Sequence, residues 1–254
     1  MNKMILTHNS IPSAKVLRNA LVSLGYPKIL VTKNNNKNIL FRYGSSVPAN
    51  CSNEINPPEF IKLMANKERF SNFCQNNKIT APIFTKLKNS LPESFPILVR
   101  NTLVGMGSEG IFPISSLDEL CTMDTNWYWV PYYNLTREYR VHVVNETIVK
   151  GFCKKFSGKI NKEGIIIRNN ENSKFSLIDI NDEDKYKKLR GVTSNLINAF
   201  AKKFKDNVLF FALDIGWGNN EKEYIILEGN SAPGLNEDTA IMYAEILGPI
   251  LFEK

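Results

Sequence analysis

Cysteine is sparse. Cys51, Cys74, Cys121 and Cys153 are scattered through 254 residues with no CxxC spacing. Neither a disulfide framework nor a thiolate zinc site is indicated, and free thiols in a reducing, cytoplasmic compartment are the expected state. The two histidines, His8 and His142, belong to no Ser/His/Asp or Cys/His constellation, and His142 reads as a structural strand residue. No apolar run approaches the roughly 20 residues of a membrane span. The opening MNKMILTHNS lacks the apolar core and small-residue cleavage site of a signal peptide, so its Met-Ile-Leu run reads as a first strand. No GxGxxG follows that strand, which leaves a dinucleotide site unsupported. Repeats and low-complexity tracts are also missing. The net charge of +7 is dispersed and carries no basic-plus-aromatic motif, so it favours an anionic partner weakly and argues against nucleic acid.

What is present is an ordinary soluble composition, 43% hydrophobic and 22% charged, on a chain long enough for a two-lobed enzyme with ample core. Met4–His8, a helical stripe over Ser13–Leu24 ended by Gly25, and Lys28–Thr32 predict a β-α-β opening, a small α/β lobe with a parallel pair. Ile39–Arg42 predicts a further short strand. Pro57-Pro58 starts one helix whose core face holds Phe60, Ile61, Met64 and Phe73, with Lys67 inside it. Pro96–Val99 is a short strand ending in Arg100. Leu103–Ile111 follows, and its Gly105, Gly107 and Gly110 leave the backbone free to wrap phosphate oxygens, although a flexible turn explains three glycines as well. Trp127–Tyr133 (WYWVPYY) reads as an edge-of-core strand. In Glu138–Val144 the residues Glu138, Arg140 and His142 share one face, and Tyr139, Val141 and Val143 the other. Asn145-Glu146 turns the chain back into Thr147–Cys153. Lys150, Lys154, Lys155 and Lys159 precede the apolar Ile165–Ile167 and Arg168; for Lys154 and Lys155 plain solvation is an equal reading. The periodicity of Asp184–Phe204 predicts a helix packed behind the last strands, and Asn236–Leu251 an apolar closing helix.

The chain turns on Val208–Leu235, VLFFALDIGWGNNEKEYIILEGNSAPGL. Two β-prone runs flank the polar Gly216–Glu223, a hairpin signal. Asp214 and Glu228 are equally distant from the turn centre, so they face each other on one side of the pair, and Asn230 shares that side by the two-residue period. Phe210, Ala212 and Ile226 are the expected apolar neighbours there. Two carboxylates on such a face repel and lose hydration unless a cation lies between them. With the Asn230 oxygen they form a hard, all-oxygen set suited to magnesium. The competing reading is a solvated hairpin end with incidental acids.

This pattern of an Asp late in one strand, then Glu-x-Asn and Pro-Gly on the next, resembles the C-terminal signature of the ATP-grasp superfamily. That family includes D-alanine–D-alanine ligase, glutathione synthetase and the ligase that adds glutamate to a ribosomal protein. The resemblance runs from about Asn56 to the end. It implies that Asp214, Glu228 and Asn230 hold two Mg2+ ions, with Mn2+ as a substitute, against the ATP triphosphate. Ala65–Phe70 followed by Ile79-Thr80-Ala81-Pro82 is similar to the family's opening segment, in which the lysine, here Lys67, reaches the phosphates; a solvated helix lysine is the alternative. The glycine loop, with Gly105, Gly107, Ser108 and Gly110, falls where the family has its lid. Many relatives carry lysine where this chain has Arg100, and arginine contacts phosphate bidentately. The nucleotide hinge falls near Val130–Tyr133, Tyr132 included. The strand around Glu138 resembles "DIRvhVv", with Glu138 near ribose or triphosphate and Arg140 on the reacting side, where fixed positive charge stabilises a developing anion. A Glu138–Arg140 surface pair is the duller alternative. Arg168 resembles the "FRsN" element beside phosphates and acceptor.

The resemblance therefore implies an α/β and α+β chain of ATP-grasp fold. Its expected parts are a small N-terminal α/β lobe (1–55), a subdomain with the lid loop (56–133) and a C-terminal subdomain with the metal site (134–254). The implied activity is ATP-dependent carboxylate–amine ligation through an acyl-phosphate, on small-molecule or peptide substrates. No nucleic-acid or membrane partner is expected, and the chain is a monomer or homodimer. Arg140, Lys155 and Arg168 favour an anionic substrate. The alternatives are an ATP-grasp kinase acting on a hydroxyl and a nucleotide-binding protein without turnover, the latter supported by arginine at position 100.

Overall fold

The computed structural model describes residues 4–7, 11–33, 39–47, 55–104, 110–156, 165, 173–205, 207–218 and 223–252. The opening β-α-β forms as expected. β1 (Met4–Thr7) is flanked by β2 (Leu30–Thr32) and β3 (Ile39–Tyr43) in a parallel sheet of order β2-β1-β3, with α1 (Ile11–Ser23) packed on it. α1 is matched by a helix from the other end of the chain, α6 (Glu237–Phe252). Leu17 and Leu21 of α1, Phe41 and Tyr43 of β3, and Tyr243 and Leu247 of α6 share one buried core.

The predicted helix after Pro57-Pro58 is two helices, α2 (Pro58–Ala65) and α3 (Lys67–Asn76). The chain leaves helical geometry at Asn66 (φ −103°, ψ 111°), whose side chain accepts a hydrogen bond from the Arg69 N–H at 2.9 Å. Asparagine competes well for such a cap, and capping α3 fixes the break. Lys67 thus begins a helix rather than lying inside one.

Next comes an antiparallel sheet of order β4-β7-β5-β6, made of β4 (Thr85–Lys86), β5 (Ile97–Arg100), β6 (Ile111–Ile114) and β7 (Tyr128–Pro131), with the one-turn helix α4 (Leu117–Leu120). β7, the aromatic stretch, lies at the border of the core as expected, with Trp129 partly buried against it, and is an interior strand of this sheet. β5 alternates cleanly: Ile97 and Val99 enter a small core with Leu87, Ile114 and Leu120, while Leu98 and Arg100 face the other way.

The second antiparallel sheet has the order β10-β9-β8-β11-β12, from β8 (Leu135–Val144), β9 (Thr147–Phe156), β10 (Ser173–Ile178), β11 (Phe210–Gly218) and β12 (Tyr224–Asn230). Asn145 and Glu146 join β8 to β9 with positive φ at both residues, the backbone a two-residue hairpin turn requires. On one face Tyr139, Val141, Val143, Phe211, Leu213 and Ile215 pack against α2, α3 and α5 (Glu183–Lys203). On the other face Val144 and Phe210 join the N-terminal core, and the rest looks toward the four-stranded sheet. No helix among the described residues is long and apolar enough to cross a membrane.

Asn56 joins these parts. It is fully buried, takes φ 49°, and its side chain accepts from the Phe210 N–H (3.0 Å) while donating to the Phe210 and Ser231 carbonyls (2.9 and 3.3 Å). Asn56→Ala strands these buried backbone groups and strains the turn, so it should lower stability by about 1–3 kcal/mol, read as a shifted urea midpoint with unchanged slope.

Candidate functional site

Between the two antiparallel sheets lies an open cleft with apolar walls and a few convergent charged groups, the make-up of a small-molecule site. β5 contributes Leu98 and Arg100, β7 and its continuation Val130–Tyr133, β8 Glu138, β9 Lys154, β11 Asp214 and β12 Leu227 and Glu228; Lys67 reaches in from α3.

Asp214 and Glu228 are direct partners across β11 and β12, as the hairpin symmetry predicts. A bulge follows: Ile215 pairs with Ile226, leaving Leu227 as the extra residue. This corrects the expected surroundings of the acids. Ile226 lies in the helix-side core, and Leu227 takes its place in the cleft beside Glu228. Asp214 is 6% exposed, which rules out a solvated hairpin end.

Each acid already faces a base. The Arg140 guanidinium grips Asp214 with two hydrogen bonds, Nε to Oδ1 at 2.7 Å and Nη2 to Oδ2 at 2.6 Å. Lys67 Nζ lies 3.1 Å from Glu228 Oε2. The Glu138–Arg140 surface pair is therefore overturned. Glu138 instead pairs with Lys154 at 2.6 Å, both side chains nearly fully buried. Lys154 is thus no solvated lysine, and Lys67, 8% exposed, is no solvated helix lysine either. Lys155 is exposed. Lys67 reaches Glu228 because α2 and α3 press on β12. A Cβ at Gly229 would lie 2.3 Å from Met64 Cε and 2.9 Å from Phe70, so a side chain at the middle residue of Glu-Gly-Asn would have to displace both.

Burial opposes charge on both Arg140 and Asp214, but their mutual attraction and hydrogen bonds outweigh it, raising the guanidinium and lowering the carboxyl. Both remain ionised. Arg100 is half-buried. Burial pulls its pKa down against Glu228, and its buried Nε has no hydrogen-bond partner among the described residues. With Lys67, Arg140 and Lys154 it makes four bases against Glu138, Asp214 and Glu228, a surplus of positive charge around the cleft.

Gly110 has φ 68°, and a Cβ there would meet Asn101 Oδ1 at 2.0 Å; its carbonyl accepts from the Asn101 N–H at 3.1 Å, closing the base of the glycine loop. Gly105, Gly107, Ser108 and Arg168 lie outside the described residues. Tyr132 lines the cleft, where its N–H donates to the Pro96 carbonyl at 3.3 Å. Asn230 stands beyond Glu228, its Oδ1 accepting from the Ala232 N–H at 2.9 Å.

No three Asp, Glu, His or Cys side chains gather as a metal cage among the described residues. The available donors are two carboxylates and one amide oxygen, each with lone pairs left beyond its present bond. Such an open oxygen set fits magnesium, which keeps water and phosphate ligands.

No family model and no curated protein sequence matches the chain. Solved structures do. D-alanyl-alanine synthetase A from Vibrio cholerae is 13% identical, with TM-score 0.69 over 99% of this chain and 98% of that one. D-alanine–D-alanine ligase from Bacillus anthracis, complexed with ATP, is 14% identical, with TM-score 0.63 over 98% and 94%. The ATP-grasp ligase PsnB, complexed with a minimal precursor, is 10% identical, with TM-score 0.63 over 97% and 98%. The chain has the ATP-grasp ligase fold. With this fold, the cleft between the sheets is the candidate active site. Lys154 is the member that sequence reasoning left undecided. Strand parity could have found it only with a bulge in β9, where the register shifts between His142 and Val143.

Behind Arg140 on the same face sits His142, 2% exposed, its Nδ1 3.1 Å from the Tyr243 hydroxyl, which lies 3.1 Å from the Phe211 carbonyl. Burial first, then the Arg140 charge, pushes its pKa from 6.5 to about 3. Above pH 6.5 this neutral histidine costs nothing. Below that the unfolded chain takes up a proton that the folded chain refuses until about pH 3, so stability falls with pH through that window. Urea titrations should show His142→Gln losing less stability than wild type on acidification, the difference growing by up to about 1.4 kcal/mol per pH unit.

Proposed function

We propose that this chain is an ATP-dependent carboxylate–amine ligase, forming an amide or peptide bond on an amino acid or peptide through an acyl-phosphate. The observation that carries the reading is the cleft of an ATP-grasp fold in which Asp214 directly opposes Glu228 amid four bases, one of them Arg100, whose buried Nε has no partner among the described residues.

ATP is the phosphoryl donor. The backbone of Val130–Tyr133 and the apolar walls Leu98 and Leu227 receive the base. Lys67, Arg100 and Lys154 draw the triphosphate inward, and Glu138 holds Lys154 in place. Asp214, Glu228 and Asn230 are the ligands for Mg2+, two ions with Mn2+ as substitute, which when bound offset the charge of the transferring phosphoryl group. The substrate carboxylate oxygen attacks the γ-phosphorus as the bond to the ADP oxygen breaks. An amine then attacks the acyl carbon, phosphate leaves, and the amine gives up its proton. Arg140, fixed by Asp214, presents a permanent positive charge to the anion that develops there. Orientation and charge do the work, which needs no nucleophilic side chain. Gly105, Gly107 and Ser108 in the lid loop and Arg168 toward the acceptor complete the proposed set.

A screen of amino acids and short peptides for ADP release, with mass spectrometry of the product, tests the proposal. An amide together with free phosphate supports ligation, and a phosphorylated product overturns it. Glu228→Gln keeps the shape of a part-exposed side chain while removing its charge. It should cut turnover by about 100-fold or more with little change in stability, and undiminished turnover would refute the site.

A further inference from the structure

The reverse face of the strands that floor the cleft carries a second, open cavity, which the proposed ligation does not use. Strand parity puts it there. Arg137 and Tyr139 flank Glu138 on β8, Trp217 pairs with Tyr224 where β11 leaves and β12 enters the hairpin, and the first turn of α5 closes the side with Tyr186.

Its interior is aromatic. Tyr139 and Tyr186, 3% and 6% exposed, meet edge to face with centroids 6.1 Å apart. Tyr224 meets Tyr139 edge to face at 5.9 Å and tilts against Trp217 at 4.6 Å. Tyr139 and Tyr186 are core residues, whereas Trp217 and Tyr224 are only partly buried beside the open cavity. Packing alone accounts for the first two and leaves the second two with ring surface to offer.

Polar groups converge on the same place. Arg137 and the Tyr139 and Tyr224 side chains line it together. Burial, and after it the neighbouring Tyr139, raises Tyr224 to about 12, so its hydroxyl stays a donor at neutral pH. Around the rim Lys185, Lys187 and Lys188 join Arg137 against Glu183 and Asp184, four positive charges to two negative. Lys185 lies over the Tyr186 ring, with Nζ 5.3 Å from the centroid. Aromatic walls with a surplus of fixed cations match one kind of small molecule: a flat ring that stacks, carrying an anion that pairs.

We propose that this cavity is a second binding site, for a planar aromatic ring bearing an oxyanion, the ring against Trp217 and Tyr224 and the carboxylate or phosphate toward Arg137 and the lysine rim. The site is separate from the cleft and its occupancy does not require the ligase reading to hold.

Calorimetric titration of the full chain with phenyl phosphate and with phenylacetate tests it, the two probes telling a phosphate ligand from a carboxylate one. Saturable binding of at least one probe is expected, weakened about tenfold in Arg137→Ala and in Trp217→Leu and unaltered in the cleft variant Arg100→Ala. Arg137 is exposed, so Arg137→Ala remains informative even if Trp217→Leu fails to fold, which thermal unfolding reveals. The proposal is overturned if neither probe saturates, if Arg137→Ala binds within about twofold of wild type, or if Arg100→Ala alone loses the probe, which would put it in the cleft.

Discussion

The Arg140–Asp214 pair is the constraint from which the site follows. Two charges taken this far from water cost several kcal/mol each, and only close two-point contact repays it. The pair has that contact, on directly opposed residues of β8 and β11. The Phe175 ring shields the guanidinium carbon from 5.1 Å. Without the arginine, burial would push the Asp214 carboxyl toward its neutral form. As it stands, the chain keeps an ionised carboxylate at the cleft floor, with its orientation already set.

The five-stranded sheet makes this arrangement affordable by using its two faces differently. One is sealed by three helices, so the strands are held without help from the cleft side. The other is divided: Val144 and Phe210 pack into the N-terminal core, His142 and Tyr243 make the seam, and the charged pairs begin beyond it. The four-stranded sheet repeats the device on a smaller scale, burying Ile97 and Val99 while Leu98 and Arg100 face its neighbour. Opposed sheets with apolar backs and polar fronts leave a slot whose walls are rigid and whose electrostatics lie in the strands themselves.

Much of this was legible in the sequence. The β-α-β opening, the β8–β9 turn and the Asp214–Glu228 match rest on local signals of period and turn chemistry, which survive folding. The glycine between Glu228 and Asn230 looked like spacing and is a packing requirement imposed by Met64 and Phe70, distant in sequence. Bulges hid the rest. A regular β8–β9 hairpin would set Cys153 opposite Glu138 and turn Lys154 to the other face; one extra residue in β9 brings Lys154 to Glu138. The extra residue at Leu227 likewise exchanges Ile226 for Leu227 in the cleft. The break at Asn66 escaped notice because the apolar stripe runs through it, and the cap that decides it is a single side-chain hydrogen bond. β4, β6 and β10 are short strands whose pairing, not composition, defines them.

The clasp between α1 and α6 has a consequence for the order of events during synthesis. The first sheet is finished by the last helix: Leu17, Leu21 and Tyr43 bury themselves against Tyr243, Ala244 and Leu247, and Ser13 takes the N–H of Leu235. A nascent chain leaving the ribosome therefore carries an apolar β-α-β with one flank bare until α6 emerges. The two segments meet late, and the β-α-β is the part that most needs shelter until they do.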